Sequence, residues 1–132
     1  MVSSALTGGR SVKINEAAKQ LHTSAWTLRY YEEIGVLAPV ARISGMRDYQ
    51  SADLARIREI LDLRACGVTL EEIKHFLQLE TTANSTAAQR TLLTGQADEL
   101  RTQITELEAT LARLETKIET LPVKEFVSNG TN

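Results

Sequence analysis

The chain has a single cysteine, Cys66, so it cannot form an intrachain disulfide, and the lone thiol fits a reducing cytoplasm. Aromatic residues make up only 5%, which points to helices packed through Leu, Ile and Ala rather than to a β-sandwich. No apolar run approaches the ~20 residues needed to cross a bilayer, so no membrane span is expected. The opening MVSSALTGGR offers neither a basic leader nor an apolar stretch, and nothing there marks export. The sequence also lacks a nucleophile–base set, a Gly-rich phosphate loop and a cluster of metal ligands. An enzyme is therefore disfavoured, and no cofactor is expected.

What is present is one domain's length, 132 residues, with an ordinary apolar share of 42%. A net charge of −2 argues at first sight against nucleic acid, but its distribution matters more. Arg10 to Arg64 holds nine basic and seven acidic residues, whereas Ala65 to the end holds six basic and ten acidic. The basic half suits phosphates, and the acidic half keeps the molecule soluble.

Ile14 to Leu21 predicts a first helix, with Asn15 as N-cap and Ala17, Ala18 and Leu21 on its apolar face. His22-Thr23 interrupts it. Ser24 caps a second helix that runs to about Ile34, with Leu28 and Tyr31 inward, and Gly35 stops it. Two short helices across a break of this length fit a helix-turn-helix, as they fit many small helical proteins. Ser44-Gly45 then marks a turn between two strand-like arms carrying Arg42 and Arg47. This hairpin reads either as a wing lying on phosphates or as a solvated turn with incidental charges.

Ser51 opens a third helix, with Leu54, Ile57 and Leu61 and, flanking them, Ile60 and Leu63 facing the core, and Gly67 ends it. A fourth helix starts on a complete signal: Thr69 and Glu72 as a capping box, Val68 and Ile73 as a hydrophobic staple. Beyond a polar break at 80–85, Leu93, Ala97, Leu100, Ile104, Leu107, Leu111, Leu114, Ile118 and Leu121 alternate steps of four and three. That is a coiled-coil seam about 42 Å long. The first four helices offer too little surface to cover it, so a second copy is the expected partner. Pro122 ends the helix.

The string Thr27-Leu28-Arg29-Tyr30-Tyr31-Glu32-Glu33-Ile34-Gly35, followed by Ser44-Gly45-Met46-Arg47-Asp48-Tyr49, resembles the MerR family of bacterial transcription regulators. The resemblance runs from about Lys13 to Leu121. It implies a mainly α fold: a winged helix-turn-helix of four helices with a β-hairpin wing, then a long C-terminal helix forming an antiparallel coiled coil in a homodimer. The expected layout is a disordered N-terminus (1–12), a DNA-binding domain (13–80), a linker and dimerisation helix (81–121) and a flexible tail (122–132). The implied partners are double-stranded promoter DNA with two-fold symmetry and RNA polymerase. The implied mechanism is distortion of an overlong promoter spacer to repress or activate, and the location is the cytoplasm.

By this resemblance Arg29 and Tyr30 contact DNA from the second helix, Arg42 belongs to the wing, Arg47 and Tyr49 form its contact pair, and Arg64 supports a phosphate contact. Trp26 and Thr27 lie where sequence preference is set. For Trp26 two roles fit, facing DNA or packing on the first helix. Many relatives bind soft metals through paired cysteines near the end of the dimer helix, and this chain has none there. A branch with a similar wing senses aldehydes or oxidative stress through one cysteine, at the position of Asp62 here. Cys66, four residues later, reads as a half-buried structural residue, with a redox thiol as the alternative. Eleven residues remain after Leu121, so no separate effector domain is expected. A small-molecule inducer would bind in a cleft between the dimer helix and the winged domain. The rival function is a coiled-coil adaptor that does not read DNA.

Overall fold

The computed structural model describes residues 11–123. The leader up to residue 10 and the tail from 124, expected to be disordered and flexible, lie outside the described residues. The elements run β1 (Val12–Lys13), α1 (Ile14–Gln20), α2 (Ala25–Glu33), β2 (Arg42–Ile43), β3 (Met46–Tyr49), α3 (Ser51–Ala65), α4 (Leu70–Gln78), a 3-10 turn (Leu79–Thr81) and α5 (Ser85–Thr120).

The three short strands form one antiparallel sheet ordered β1-β3-β2. Val12 pairs with Tyr49 and Lys13 with Asp48, so Val12, expected in the disordered N-terminus, belongs to the fold. On the other side Arg42 pairs with Arg47 and Ile43 with Met46. The intervening Ser44-Gly45 has φ of 54° and 80°. Positive φ at both central residues gives the type I′ geometry whose twist matches paired strands.

Local chemistry fixes most helix ends. The Ser24 hydroxyl accepts from the Thr27 N–H at 3.0 Å and opens α2. At α4 the Thr69 hydroxyl accepts from the Glu72 N–H at 3.1 Å, while the Glu72 carboxylate accepts from the Thr69 N–H at 3.0 Å. This is the capping box that the sequence predicts, with Val68 and Ile73 both buried beside it. One expectation shifts: Asn15 lies inside α1 with Lys13 as its cap, whereas α3 begins at Ser51 as expected, with Gln50 as its cap.

Three helices end alike. After α2, Gly35 N–H bonds Glu32 C=O and Val36 N–H bonds Tyr31 C=O; after α3, Gly67 and Val68 repeat the pattern onto Arg64 and Leu63. After α1, His22 and Thr23 repeat it onto Lys19 and Ala18. Each terminator has positive φ, 82° at Gly35, 88° at Gly67 and 56° at His22. These are Schellman ends, and the one inside the helix-turn-helix is made without glycine.

The described residues up to Leu92 form one compact unit and those from Leu93 a second. The core of the first gathers Ala17, Leu21, Leu28, Tyr31, Leu37, Tyr49, Ile57, Ile60 and Ile73, drawn from β3, the first four helices and the segments that follow α1 and α2. Ile60, expected to face the core, is fully buried in it, whereas Leu54 and Leu61 are only partly covered. The opening turns of α5 belong here too: Leu92 packs on the core and the Gln89 side-chain amide donates to the Phe76 carbonyl at 3.0 Å. The second unit is the rest of α5, whose seam residues from Leu100 to Leu121 are exposed. Among the described residues no helix is long and apolar enough to cross a membrane.

Candidate nucleic-acid interface

The second helix of a helix-turn-helix must present side chains outward while its other face holds the core. In α2, Leu28 and Tyr31 are buried and take the inner face, which leaves Trp26, Arg29 and Tyr30 outward or partly so. Trp26 is 62% exposed. Its ring stacks on Tyr30 with centroids 5.0 Å apart and planes 12° from parallel. Of the two roles open to Trp26, packing on the first helix gives way to an outward platform braced within α2. Thr27 is held back by the cap, its hydroxyl 2.8 Å from that of Ser24.

The wing supplies the opposite wall. Trp26, Arg29, Tyr30, Glu32 and Glu33 from α2, with Arg42 and Arg47 from the hairpin, line an open hollow of about 450 Å³. Three arginines, two aromatic rings and two carboxylates therefore share one face. Arginine's planar fork suits phosphate oxygens and guanine edges, and the indole offers apolar surface.

Glu32, which sequence reasoning passed over, ties the two walls together. Its carboxylate accepts from Arg47 Nε at 2.8 Å, from the Val40 N–H at 3.2 Å and from Arg42 Nη1 at 3.4 Å. Burial alone would raise its pKa. The hydrogen bonds from Arg47 and Val40, with the charges of Arg42 and Arg47, outweigh burial and hold the carboxyl below the usual range. The only hint in the sequence is that the helix carrying Arg29 ends in two acids, Glu32 and Glu33. Its partners lie eight to fifteen positions away, beyond any helical repeat.

Tyr49 requires a correction. Read as half of the wing's contact pair, it is 0% exposed in the free chain and belongs to the core rather than to the open face of the wing. The cause is that α1 and α3 pack against β3 and draw Tyr49 into the core. Burial pushes the Tyr49 phenol up, against the charges of Arg47, Arg42 and Arg29, and its hydroxyl has no hydrogen-bond partner. Asp48 is well supplied, accepting from Ser11 Oγ at 3.0 Å, Gln50 Nε2 at 3.0 Å and Lys13 Nζ at 3.4 Å.

Arg64 does not line the hollow. It is exposed on the last turn of α3, where Nη1 donates to the Val68 carbonyl at 2.8 Å and braces the turn into α4. Cys66 is exposed at the C-cap of α3, not half-buried, so packing does not explain it. Among the described residues no group of three His, Cys, Asp or Glu side chains is placed to hold a metal ion. Of the dimerisation residues, Leu93 and Ala97 are partly covered, whereas Leu100, Ile104, Leu107, Leu111, Leu114, Ile118 and Leu121 stand open to solvent.

The sequence matches the model of the MerR HTH family regulatory proteins over residues 12–80 and that of the MerR DNA-binding segment over residues 54–117. It is 38% identical over 80 residues to the HTH-type transcriptional regulator AdhR of Bacillus subtilis, covering 60% of this chain and 57% of that one. It is 36% identical over 98 residues to the HTH-type transcriptional regulator ZntR homolog of Haemophilus influenzae, covering 73% of each. Among solved structures, HiNmlR, a MerR family regulator lacking the sensor domain and bound to promoter DNA, aligns with a TM-score of 0.67. That likeness carries 28% identity over 83% of this chain and 89% of the other.

Proposed function

The chain belongs to the MerR family of HTH regulatory proteins, and on that premise we propose that two copies, paired through α5, bind a two-fold symmetric promoter operator and control transcription by distorting it. The observation that carries this reading is the hollow in which Trp26, Arg29 and Tyr30 of α2 face Arg42 and Arg47 of the wing. A reading helix beside a cationic hairpin supplies both kinds of contact that recognition needs, base edges for sequence and phosphates for register.

Within the hollow the roles divide by chemistry. Arg29 suits a guanine edge or a phosphate, and the Tyr30 hydroxyl suits a phosphate. Arg42 and Arg47 lie on backbone oxygens. Trp26 is apolar and outward, and the one apolar group on the floor of the major groove is the thymine methyl, so a thymine is its natural partner. The relative HiNmlR is bound to promoter DNA, which supports the same use of this face. RNA polymerase is the remaining partner, engaged on the distorted promoter.

Selection of bound fragments from random duplex DNA by the full chain, followed by footprinting, tests the reading. The expected result is a pair of inverted half-sites about one or two helical turns apart. Fragments with no common sequence, bound with the salt dependence of bulk charge alone, would refute it.

A further inference from the structure

A carboxylate in a face offered to phosphates is electrostatically out of place, because it repels the ligand that its neighbours attract. Glu32 sits in that face nonetheless, with its side chain only 10% exposed. Its partners belong to two other parts of the fold: the Val40 N–H ahead of β2, and the guanidiniums of β2 and β3. Those guanidiniums need such a partner. Arg42 and Arg47 are direct cross-strand neighbours in the ladder, and like charges so placed repel.

The way each arginine is held matters. Arg47 gives Glu32 its Nε, which leaves both terminal nitrogens of the fork unengaged by that bond. Arg42 bonds both Glu32 and the Val40 carbonyl through Nη1, at 3.4 Å and 2.8 Å, and keeps Nη2 out of these contacts. Each guanidinium is thus fixed at one edge and still has donors for a phosphate oxygen. The anchor is on the same helix as Trp26, Arg29 and Tyr30, one turn along.

We infer that Glu32 is a positioning residue for operator recognition: it touches no DNA, but locks both wing arginines to the reading helix, so that backbone contacts from the wing and base contacts from α2 keep a single register. The inference rests on the DNA-binding reading above. It assigns Glu32 to specificity rather than to affinity, since a loose wing still attracts DNA but no longer fixes where α2 meets the bases.

The test uses the full chain with its selected operator and a random duplex of equal length. Glu32→Gln removes the charge and keeps the size. A carboxylate that only repelled phosphates would, once removed, tighten binding to both duplexes together, and that result would overturn the inference. Positioning predicts opposite signs: random-duplex binding unchanged or tighter, and operator binding weaker by about 10- to 100-fold, the worth of a charge-assisted bond. The salt slope on operator should also flatten by about one phosphate contact per subunit.

Arg47→Lys guards against a fold lost through Glu32→Gln, because it leaves Glu32 and the total charge in place while removing the Nε contact. It should lower the operator-to-random ratio in the same direction, and an unchanged ratio would count against positioning. In an Arg47→Ala background Glu32→Gln should cost much less than alone, and full additivity of the two would also overturn the inference. If the unaltered chain showed no preference for any operator over random duplex, the regulator reading itself would fail, a result distinct from all of these.

Discussion

The two compact units handle the same kind of side chain in opposite ways. In the first, Leu28, Leu37, Ile57, Ile60 and Ile73 are sealed within one chain. In the second, Leu107 is 67% exposed and its seam neighbours are similarly open. Both stretches are rich in Leu and Ile, so composition does not separate them. Spacing does: the first has short helices whose apolar faces converge, whereas the second keeps a heptad stripe along one helix with no facing element among its described residues. The first unit's stability is therefore a property of the chain, and under the proposed pairing the second's depends on concentration.

The largest expected effect comes from breaking the second unit alone. Leu107→Asp places a charge in the middle of the seam. Sedimentation should show monomers and operator affinity should fall at least about 100-fold, the scale expected when two half-site contacts are uncoupled. Near-ultraviolet dichroism from Trp26 should stay as it was. A dimer that survived, or a first unit that melted, would erase the contrast between the units.

The complementary change is Ile57→Ala, at a site with no exposure. Deleting buried methylenes from a closed core should cost about 2–5 kcal/mol of unfolding free energy. Dimer dissociation, measured well below the melting temperature, should not change.

A smaller effect tests the first unit's one polar flaw. The buried Tyr49 hydroxyl has no partner, so Tyr49→Phe should raise stability by about 1 kcal/mol. Burial also raises the Tyr49 and Tyr31 phenols above their usual value, against the charge of Arg64 in the case of Tyr31. Their contribution to stability is complete below about pH 10 and is lost as pH rises through the elevated folded values. Tyr49→Phe should therefore soften the alkaline loss seen in urea melts run from pH 8 to 11. If operator affinity fell with this variant, the hydroxyl would be finding its partner in the complex.

The smallest effect is at the turn of the helix-turn-helix. His22 adopts the left-handed backbone that Gly35 and Gly67 adopt at the other two ends. His22→Gly relieves about 1–2 kcal/mol of backbone cost and returns about 0.4–1 kcal/mol as entropy of the unfolded chain. A net gain of about 0.5 kcal/mol is expected in thermal melts. A loss would show that the imidazole makes up for its backbone through contacts of its own.

Features written in adjacent residues were legible before the fold was seen. Ser24, Gly35, Gly67 and the Thr69–Glu72 pair act within one helical turn, and each terminates or starts a helix where the sequence places it. The seam on α5 is legible for the same reason, since its repeat is local even though its partner is not. Illegible features depend on distant pairing. β1 is two residues long and meets a strand some thirty-five positions away, so no periodicity announces it. Tyr49 misleads because alternation puts it on the side of Arg47, and only the packing of α1 and α3 against β3 reveals it as a core residue. Glu32 reads as one more acid on a helix face until the hairpin folds back over it.

The carboxylate of Asp48 has a practical consequence. Two of its donors, Ser11 and Lys13, are among the first of the described residues. A shortened chain begun at Ile14 would leave a buried anion short of donors and the middle strand with one bare edge. The damage would appear in the hairpin, over thirty residues from the cut, and fusion partners or cleavage sites are safer placed ahead of Ser11 than within the three residues that follow.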